Sequence, residues 1–207
     1  MDGVFITEPR AASSQLMVAA QNLLNKNTIK PTGISAVAVS SGPGSYTGLR
    51  IAASASKGLC YALSIPLITV NSLLVLTYPM VKEYESNLYC PMLNARRMEV
   101  YCALLNRNLN FVTETEAKIL TTESFQAELN RGTITFFGDG AKKFMQFANH
   151  PNAVFVEGVQ PHAENLGYLA YKKYLKGEFE NVESFEPMYL KDFMVKKSKV
   201  SMRNDGR

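Results

Sequence analysis

The pattern of apolar and polar positions divides the chain into two groups of strands and helices, separated by a polar gap at residues 82–87. In the first group, short and nearly continuous apolar runs are typical of strands covered on both faces. Apolar residues at spacings of three and four are typical of helices. The predicted elements are, in order, a strand at 3–7, a helix capped by Ser13 or Ser14, a strand at 34–39, a helix at 48–63, a strand at 67–70 and a helix at 72–82.

The second group opens with strands and then alternates helix with strand. The predicted order is strands at 88–95, 98–105 and 110–119, a helix at 123–130, a strand at 133–137, a helix at 141–149, a strand at 153–156 and a helix at 162–176. Such an order is typical of half an α/β domain with a mixed sheet, and the first group has the same plan without its opening strands. The pattern therefore predicts two α/β halves, 1–82 and 83–181, followed by a C-terminal segment at 182–207.

A glycine-rich turn links the strand at 34–39 to the helix at 48–63. Its backbone N–H groups and the helix N-terminus could hold an anion, which Arg50 could help to neutralise. The segment lacks the signatures of a P-loop and of a dinucleotide fold, so we favour the interpretation that the loop shapes a helix entry or a protein surface. Ser45 or Thr47 is the predicted N-cap of the helix. The motif loop consists of Gly42, Pro43, Gly44, Ser45, Tyr46, Thr47 and Arg50.

Two helices have faces that favour close contact with another helix. The second helix has small residues at spacings of three and four, which make one side nearly flat. The first helix is amphipathic, with apolar residues repeating at helical spacing. We predict a partner interface, in the form of a four-helix contact, at Leu16, Ala20, Leu23, Gly48, Ala52, Ser56 and Leu59.

Few residues are candidates for catalysis. His150 and His162 are too far apart in sequence to form a helical metal-binding pair. Asp139 stands between two glycines after a predicted strand and is the best single carboxylate for a nucleotide or metal, although a turn aspartate that caps the helix at Ala141 is the favoured interpretation. The sequence thus predicts no catalytic residue and no metal site.

Composition supports a soluble cytoplasmic protein without a broad nucleic-acid footprint. The net charge of +4 is mild, and the basic cluster at 191–199 is interpreted as a solvated tail. Cys60, Cys90 and Cys102 lie in apolar segments and have no metal-like spacing, so we expect buried free thiols. No apolar run reaches the length of about 20 residues that a membrane helix needs.

Three stretches carry a resemblance to a known family. The first is Ser-Gly-Pro-Gly-Ser-Tyr-Thr-Gly-Leu-Arg at 41–50, which is followed by the small-residue helix and by Ile-Pro-Leu-Ile-Thr-Val-Asn-Ser-Leu at 65–73. The others are Asn-Ala-Arg-Arg-Met-Glu-Val-Tyr at 94–101 and Phe-Glu-Pro-Met-Tyr-Leu-Lys at 185–191. In this order and spacing they resemble the bacterial TsaB family, also called YeaZ.

The resemblance implies an actin-like or sugar-kinase-like (ribonuclease H-like) fold of two domains with mixed sheets, the first domain here lacking its opening strands. It also implies an accessory subunit that does no chemistry but binds and activates the TsaD enzyme in the N6-threonylcarbamoyladenosine (t6A) modification of tRNA adenosine 37. A TsaE-like ATPase is a further implied partner, and tRNA would be met indirectly through the complex. No cofactor is expected on this chain alone, while ATP or ADP could bind at the interface of the complex.

Two alternatives from other classes stay open. One is an enzyme, either an actin-like ATPase or a glycopeptidase-like protein. The other is a plain homodimeric scaffold in which the apolar helix faces of two copies meet. Loss of ATP turnover on changing Asp139 would favour the enzyme, whereas the identity of the binding partner would separate a scaffold from an accessory subunit.

Overall fold

The computed structural model describes residues 2–6, 8 and 11–190. The helices predicted at 48–63, 72–82 and 162–176 are found with nearly the same bounds. The first helix begins at Ala11, so the prediction that Ser13 or Ser14 caps it is wrong, because both lie within the helix. The helices are α1 (Ala11–Lys26), α2 (Tyr46–Leu63), α3 (Ser72–Glu83), α4 (Gln126–Leu129), α5 (Ala141–Met145) and α6 (Ala163–Leu175), with a short 3-10 turn at Pro31–Gly33. The strands are β1 (Val37–Gly42), β2 (Leu67–Asn71), β3 (Leu88–Asn94), β4 (Glu99–Cys102), β5 (Glu116–Ile119), β6 (Ile134–Phe137) and β7 (Ala153–Val156).

The first sheet consists, in the described residues, of β1 and β2, which run parallel with Val37 opposite Leu67. Its two faces are covered by different helices. On one face, Val39 and Leu67 pack with Ala53 and Cys60 of α2. On the other, Ile68 and Val70 of β2 pack with residues of α3 and α6, namely Val75 and Ala170. Apolar residues on both faces of these two strands are accounted for by this burial on two sides.

The second sheet has five strands in the order β5-β4-β3-β6-β7. β3 pairs antiparallel with β4 and parallel with β6, so the sheet is mixed, and this confirms the predicted α/β class. Its core is aromatic, because Phe125, Phe136 and Phe144 meet edge to face with ring centroids 5.0 to 5.4 Å apart. Edge-to-face contacts add to the stability that burial of the rings provides.

The last helix belongs by packing to the first sheet. α6 contacts β1, β2 and α3, although it follows β7 in sequence. Lys173 of α6 also donates to the carbonyl oxygen of Thr69 in β2, at 3.0 Å. The domain boundaries inferred from the sequence stay a prediction, but α6 contributes to the layers of the first half rather than to those of the second.

The predicted strand at 3–7 is wrong for residues 3–6, which form no strand, while Thr7 lies outside the described residues. The segment is held by side-chain contacts instead. Asp2 pairs with Lys26 at 3.1 Å and accepts from Asn27, and the ring of Phe5 stacks on His162 with centroids 5.2 Å apart. An apolar run as short as this therefore does not identify a strand by itself.

Several predicted elements of the second half are shorter in the structure. The strand predicted at 110–119 is regular only at 116–119, because the N–H groups of Val112 and Thr113 both donate to the carbonyl oxygen of Leu104 and interrupt the ladder before it. The helix predicted at 123–130 is limited to 126–129, since Phe125 has a φ of +63° that a helix does not accommodate. The helix predicted at 141–149 ends at Met145.

Candidate functional site

The motif loop joins β1 to α2 as the sequence predicts. β1 ends at Gly42, and α2 begins at Tyr46. Ser45 is the N-cap, with extended backbone angles and a side-chain oxygen that accepts from the N–H of Gly48 at 3.4 Å. This confirms the first of the two predicted caps and leaves Thr47 as an exposed residue of the first turn.

The chain's own C-terminal segment packs over the loop. The N–H of Met188 donates to the carbonyl oxygen of Ser41 at 2.7 Å. Gly42 has a φ of +99°, and a Cβ added to it would lie 2.8 Å from the carbonyl oxygen of Met188. Position 42 therefore requires glycine for two reasons, its backbone conformation and the approach of the 188 peptide.

Aromatic side chains extend this contact. The rings of Tyr46 and Tyr189 have centroids 4.7 Å apart, and burial together with Tyr46 raises the pKa of the Tyr189 hydroxyl. Arg50 also contacts Tyr46, with its guanidinium carbon 5.6 Å from the ring centroid. The contact that the structure gives Arg50 is thus the tyrosine side chain of Tyr46.

Lys57 anchors the same segment from the middle of α2. Its ammonium group donates to the carbonyl oxygens of Glu183 and Phe185, at 2.9 and 3.0 Å. The Phe185 side chain is buried beside Val39 and Ala53. Sequence reasoning missed this role, and the one available signal was a lysine within the otherwise small and apolar stretch at 51–60 of α2.

The geometry supports the structural interpretation of the motif loop. The cleft between the loop and the C-terminal segment is lined by Pro43, Gly44, Tyr46, Tyr101 and Met188 among others, and it has a volume of about 20 Å³. That is room for about one water molecule. A nucleotide would not fit in this cleft as it stands, so the loop is better described as the seat of residues 183–189.

The predicted partner residues divide into buried and accessible positions. α1 packs against α2. Leu16 is 37% exposed, whereas Ala20, Leu23, Gly48, Ala52 and Leu59 are half-buried. Ser56 is 7% exposed and lies on the inner face of α2 with Leu49, Ala53 and Cys60, so its assignment to an outward partner surface is wrong. Small residues at helical spacing identify a flat face, but the direction of that face depends on where the sheet lies.

Asp139 has a local structural role. Its carboxylate accepts from the backbone N–H of Asn94 at 2.9 Å, which holds the end of β3 against the turn after β6. The prediction that Asp139 caps α5 is wrong, because α5 begins after Gly140 without a side-chain cap. The carboxylate therefore connects two neighbouring strands.

The histidines and cysteines occupy separate places. His150 bonds Asn130 and Asn152, and His162 stacks on Phe5. Among residues that the structure describes, no three His, Cys, Asp or Glu side chains come together as a metal ion would require. Cys60, Cys90 and Cys102 are buried free thiols, as predicted.

Two further predictions concern other parts of the chain. The lysine cluster at 191–199 lies outside the described residues. Within the described ranges, no helix combines the length and apolar composition that crossing a bilayer requires.

The chain is similar to a known protein family and to named bacterial proteins. Residues 8–198 match the family described as "TsaD: tRNA N6-adenosine threonylcarbamoyltransferase". A protein from Escherichia coli K12, named tRNA threonylcarbamoyladenosine biosynthesis protein TsaB, is 27% identical over 191 residues, which are 89% of this chain and 82% of that protein. The protein of the same name from Bacillus subtilis 168 is 38% identical over 92 residues, 44% of this chain and 39% of that protein.

Solved structures show the same fold. YeaZ from Pseudomonas aeruginosa superimposes with a TM-score of 0.72 at 24% identity, covering 89% of this chain and 87% of that one. A second structure from the same organism is described as an uncharacterized protein with similarity to peptidase YEAZ. It superimposes with a TM-score of 0.76 at 24% identity, covering 88% of this chain and 86% of that one. The predicted actin-like, ribonuclease H-like fold is confirmed by this likeness and by the family match. The chain belongs to the family of that TsaD description, and within it to the TsaB, or YeaZ, proteins.

Proposed function

We propose that the chain is a non-catalytic accessory subunit that binds and activates a TsaD-like enzyme in the t6A modification of tRNA adenosine 37. Membership of the TsaB family supports this role, since the related proteins are named for the biosynthesis of that modification. The observation that carries the proposal is the surface of α1. The 16-residue helix α1 packs against α2 and leaves three consecutive apolar side chains exposed to solvent.

Three of these side chains form the accessible part of the surface. Leu16, Met17 and Val18 are 37%, 47% and 57% exposed. Successive helix residues lie about 100° apart, so these three side chains cover a broad part of the circumference of α1 rather than one stripe. Exposed apolar side chains are typical of protein contact sites, because their burial in a complex removes them from water. Ala20 lies one turn after Leu16 on the same side of α1 and is half-buried, so its small side chain permits close approach of a partner helix. Ala52 on the neighbouring α2 is also small and half-buried.

The contacts of the candidate catalytic groups favour an accessory role over an enzyme. The motif loop seats the C-terminal segment, and the carboxylate of Asp139 bonds the backbone of Asn94. The proposal therefore assigns catalysis to the TsaD-like subunit and ATP or ADP to its interface with this chain. It also includes a TsaE-like ATPase as a partner and places the complex in the cytoplasm, where it would meet tRNA.

The test is co-purification of the full chain with the TsaD-like protein of the same organism. Leu16→Arg and Val18→Arg place a charge on the accessible part of the α1 surface, so we expect the wild type to form a stable complex and both variants to lose it. Val112→Arg is the matched control. Val112 is 53% exposed and lies in a loop of the second half, so this variant introduces the same charge elsewhere.

Thermal unfolding of each variant shows whether the fold is intact. Three outcomes would contradict the proposal. The first is that the wild type does not bind the TsaD-like protein. The second is that Leu16→Arg and Val18→Arg bind it as well as Val112→Arg does. The third is that the chain forms a stable homodimer through α1 that excludes the enzyme. The last outcome would favour the homodimeric scaffold.

A further inference from the structure

A second surface lies on the opposite side of the first sheet from α1 and α2. There α3 and α6 pack side by side, and the rings of Tyr78 and Tyr168 stack with centroids 5.1 Å apart and planes inclined by 29°. Tyr78 is 6% exposed and forms the inner ring of the pair, whereas Tyr168 is 47% exposed. The outer ring thus stands on a rigid base with much of its area in water.

Two ammonium groups converge on this tyrosine pair. Nζ of Lys82 lies 4.0 Å from the Tyr78 ring centroid and 5.2 Å from that of Tyr168. Nζ of Lys172 lies 5.8 and 5.2 Å from the same two centroids. Both lysines are exposed at the surface. We call Tyr78, Lys82, Tyr168 and Lys172 the α3–α6 patch.

The positive charge of the patch is not neutralised by a neighbouring carboxylate. None of the ion pairs in the described ranges involves Lys82 or Lys172. Burial alone raises the pKa of the Tyr78 hydroxyl, but the lysine ammonium groups together with Tyr168 bring it below its ordinary value. The contact with Tyr78 in turn raises the pKa of Lys82, so its charge persists at neutral pH.

The sequence of α6 extends the same chemistry along the helix. After Glu164 in its first turn, the helix contains tyrosines and lysines and no further acidic residue up to Leu175. Tyr171 is also exposed, one turn away from Tyr168. Aromatic ring faces beside ammonium groups that form no ion pair match single-stranded nucleic acid, in which bases stack on rings and phosphates pair with lysines.

We propose that the α3–α6 patch binds RNA directly, with an unpaired base stacked on Tyr168 and backbone phosphates held by Lys82 and Lys172. The choice of RNA rests on the proposed function, in which tRNA is the substrate of the complex. Because the patch and the α1 surface lie on opposite sides of the sheet formed by β1 and β2, one subunit can hold a partner protein and an RNA at the same time.

The test measures fluorescence anisotropy of a fluorescein-labelled anticodon stem–loop RNA titrated with the full chain over a range of salt concentrations. We expect Lys82→Ala/Lys172→Ala to weaken binding roughly tenfold or more at about 0.1 M salt and to reduce the slope of log K against log salt by about 1.4, since each phosphate contact on a single strand contributes about 0.7. Tyr168→Ala should weaken binding about fivefold or more with an unchanged slope, and Tyr168→Phe should restore it.

The matched control is Arg107→Ala/Lys142→Ala, which removes two positive charges from side chains that pair with Glu85 and Glu157. We expect it to change the affinity by no more than about twofold, because screening weakens distant charges. The proposal is overturned if the control and the patch variant bind RNA equally. It is also overturned if the wild type binds no RNA, or if it binds only an acidic probe such as polyglutamate.

The accessory role through α1 and RNA binding by the α3–α6 patch can be tested independently of each other. Leu16→Arg should bind the RNA normally while losing the TsaD-like protein, and Lys82→Ala/Lys172→Ala should retain that protein while losing RNA. If no variant affects the TsaD-like protein but the patch variant loses RNA, the accessory role through α1 is wrong and the RNA contact stands.

Discussion

The ammonium group of Lys57 and the carbonyl oxygen of Phe185 are 3.0 Å apart, although 128 residues separate them in the chain. Lys57 also donates to Glu183, so one side chain fixes two peptide groups of the C-terminal segment on α2. This arrangement makes the position of residues 183–189 dependent on a helix of the first half.

Lys57→Met keeps most of the side chain's apolar volume and removes the donor. Hydrogen bonds from a charged group contribute about 1.5–3 kcal/mol, and partial exposure of Lys57 reduces that value. We therefore expect the free energy of unfolding to fall by roughly 1–2 kcal/mol, with faster amide hydrogen exchange at Met188. Lys30→Met, at an exposed position in the turn before β1, is the control, and equal effects of the two variants in urea denaturation would contradict the anchoring role.

Gly42→Ala tests the seat of the C-terminal segment. A left-handed backbone costs a residue with a side chain about 1–2 kcal/mol, and the added Cβ must also displace the Met188 carbonyl, so we expect a loss of about 2 kcal/mol or more. Gly58→Ala is the matched control within α2, where an added Cβ meets nothing within 4 Å. Alanine there should stabilise the chain by up to about 1 kcal/mol. If Gly42→Ala and Gly58→Ala lowered the free energy of unfolding by similar amounts, the backbone conformation and close contact of Gly42 would not be the cause of the loss.

Asp139→Ala separates a structural carboxylate from a catalytic one. Removal of the acceptor for the Asn94 N–H should lower the free energy of unfolding by about 1 kcal/mol. Asp139→Asn, whose side-chain oxygen can still accept, should lose less. Reconstituted with the TsaD-like protein, both variants should keep the wild-type rate of modification. A variant that is as stable as the wild type but inactive would favour the actin-like enzyme instead.

The three cysteines should be unreactive in the folded chain. Burial raises the pKa of the Cys60 thiol, and burial together with a contact to Cys102 raises that of Cys90, so little thiolate forms near neutral pH. We expect a thiol reagent such as 5,5′-dithiobis(2-nitrobenzoate) to react rapidly with none of the three thiols in the folded chain at about pH 7.5. After denaturation it should react with all three. Rapid reaction of one thiol in the native chain would contradict its burial.

Sequence reasoning succeeded where local pattern decides the structure. The periodicity of α2, α3 and α6 and the Ser45 cap depend on neighbours in sequence, and these predictions are confirmed. Sequence reasoning failed where a segment distant in sequence determines the direction or the contacts of a side chain. The inward direction of Ser56 depends on the position of the first sheet, and the role of Lys57 depends on the backbone of residues 183–185. A predicted strand at 3–7 failed because residues 3–6 pair with no strand in the described structure.

The packing of α6 on the first sheet has a consequence for synthesis on the ribosome. β1 and β2 leave the exit tunnel first, but α6 and Phe185, which cover their two faces, follow about a hundred residues later. We predict that proteolysis of nascent chains of increasing length will show α2 protected only once Phe185 has emerged, and earlier protection would contradict this. The half that is made first is therefore completed last, and during that interval its apolar strands are exposed to association with other chains.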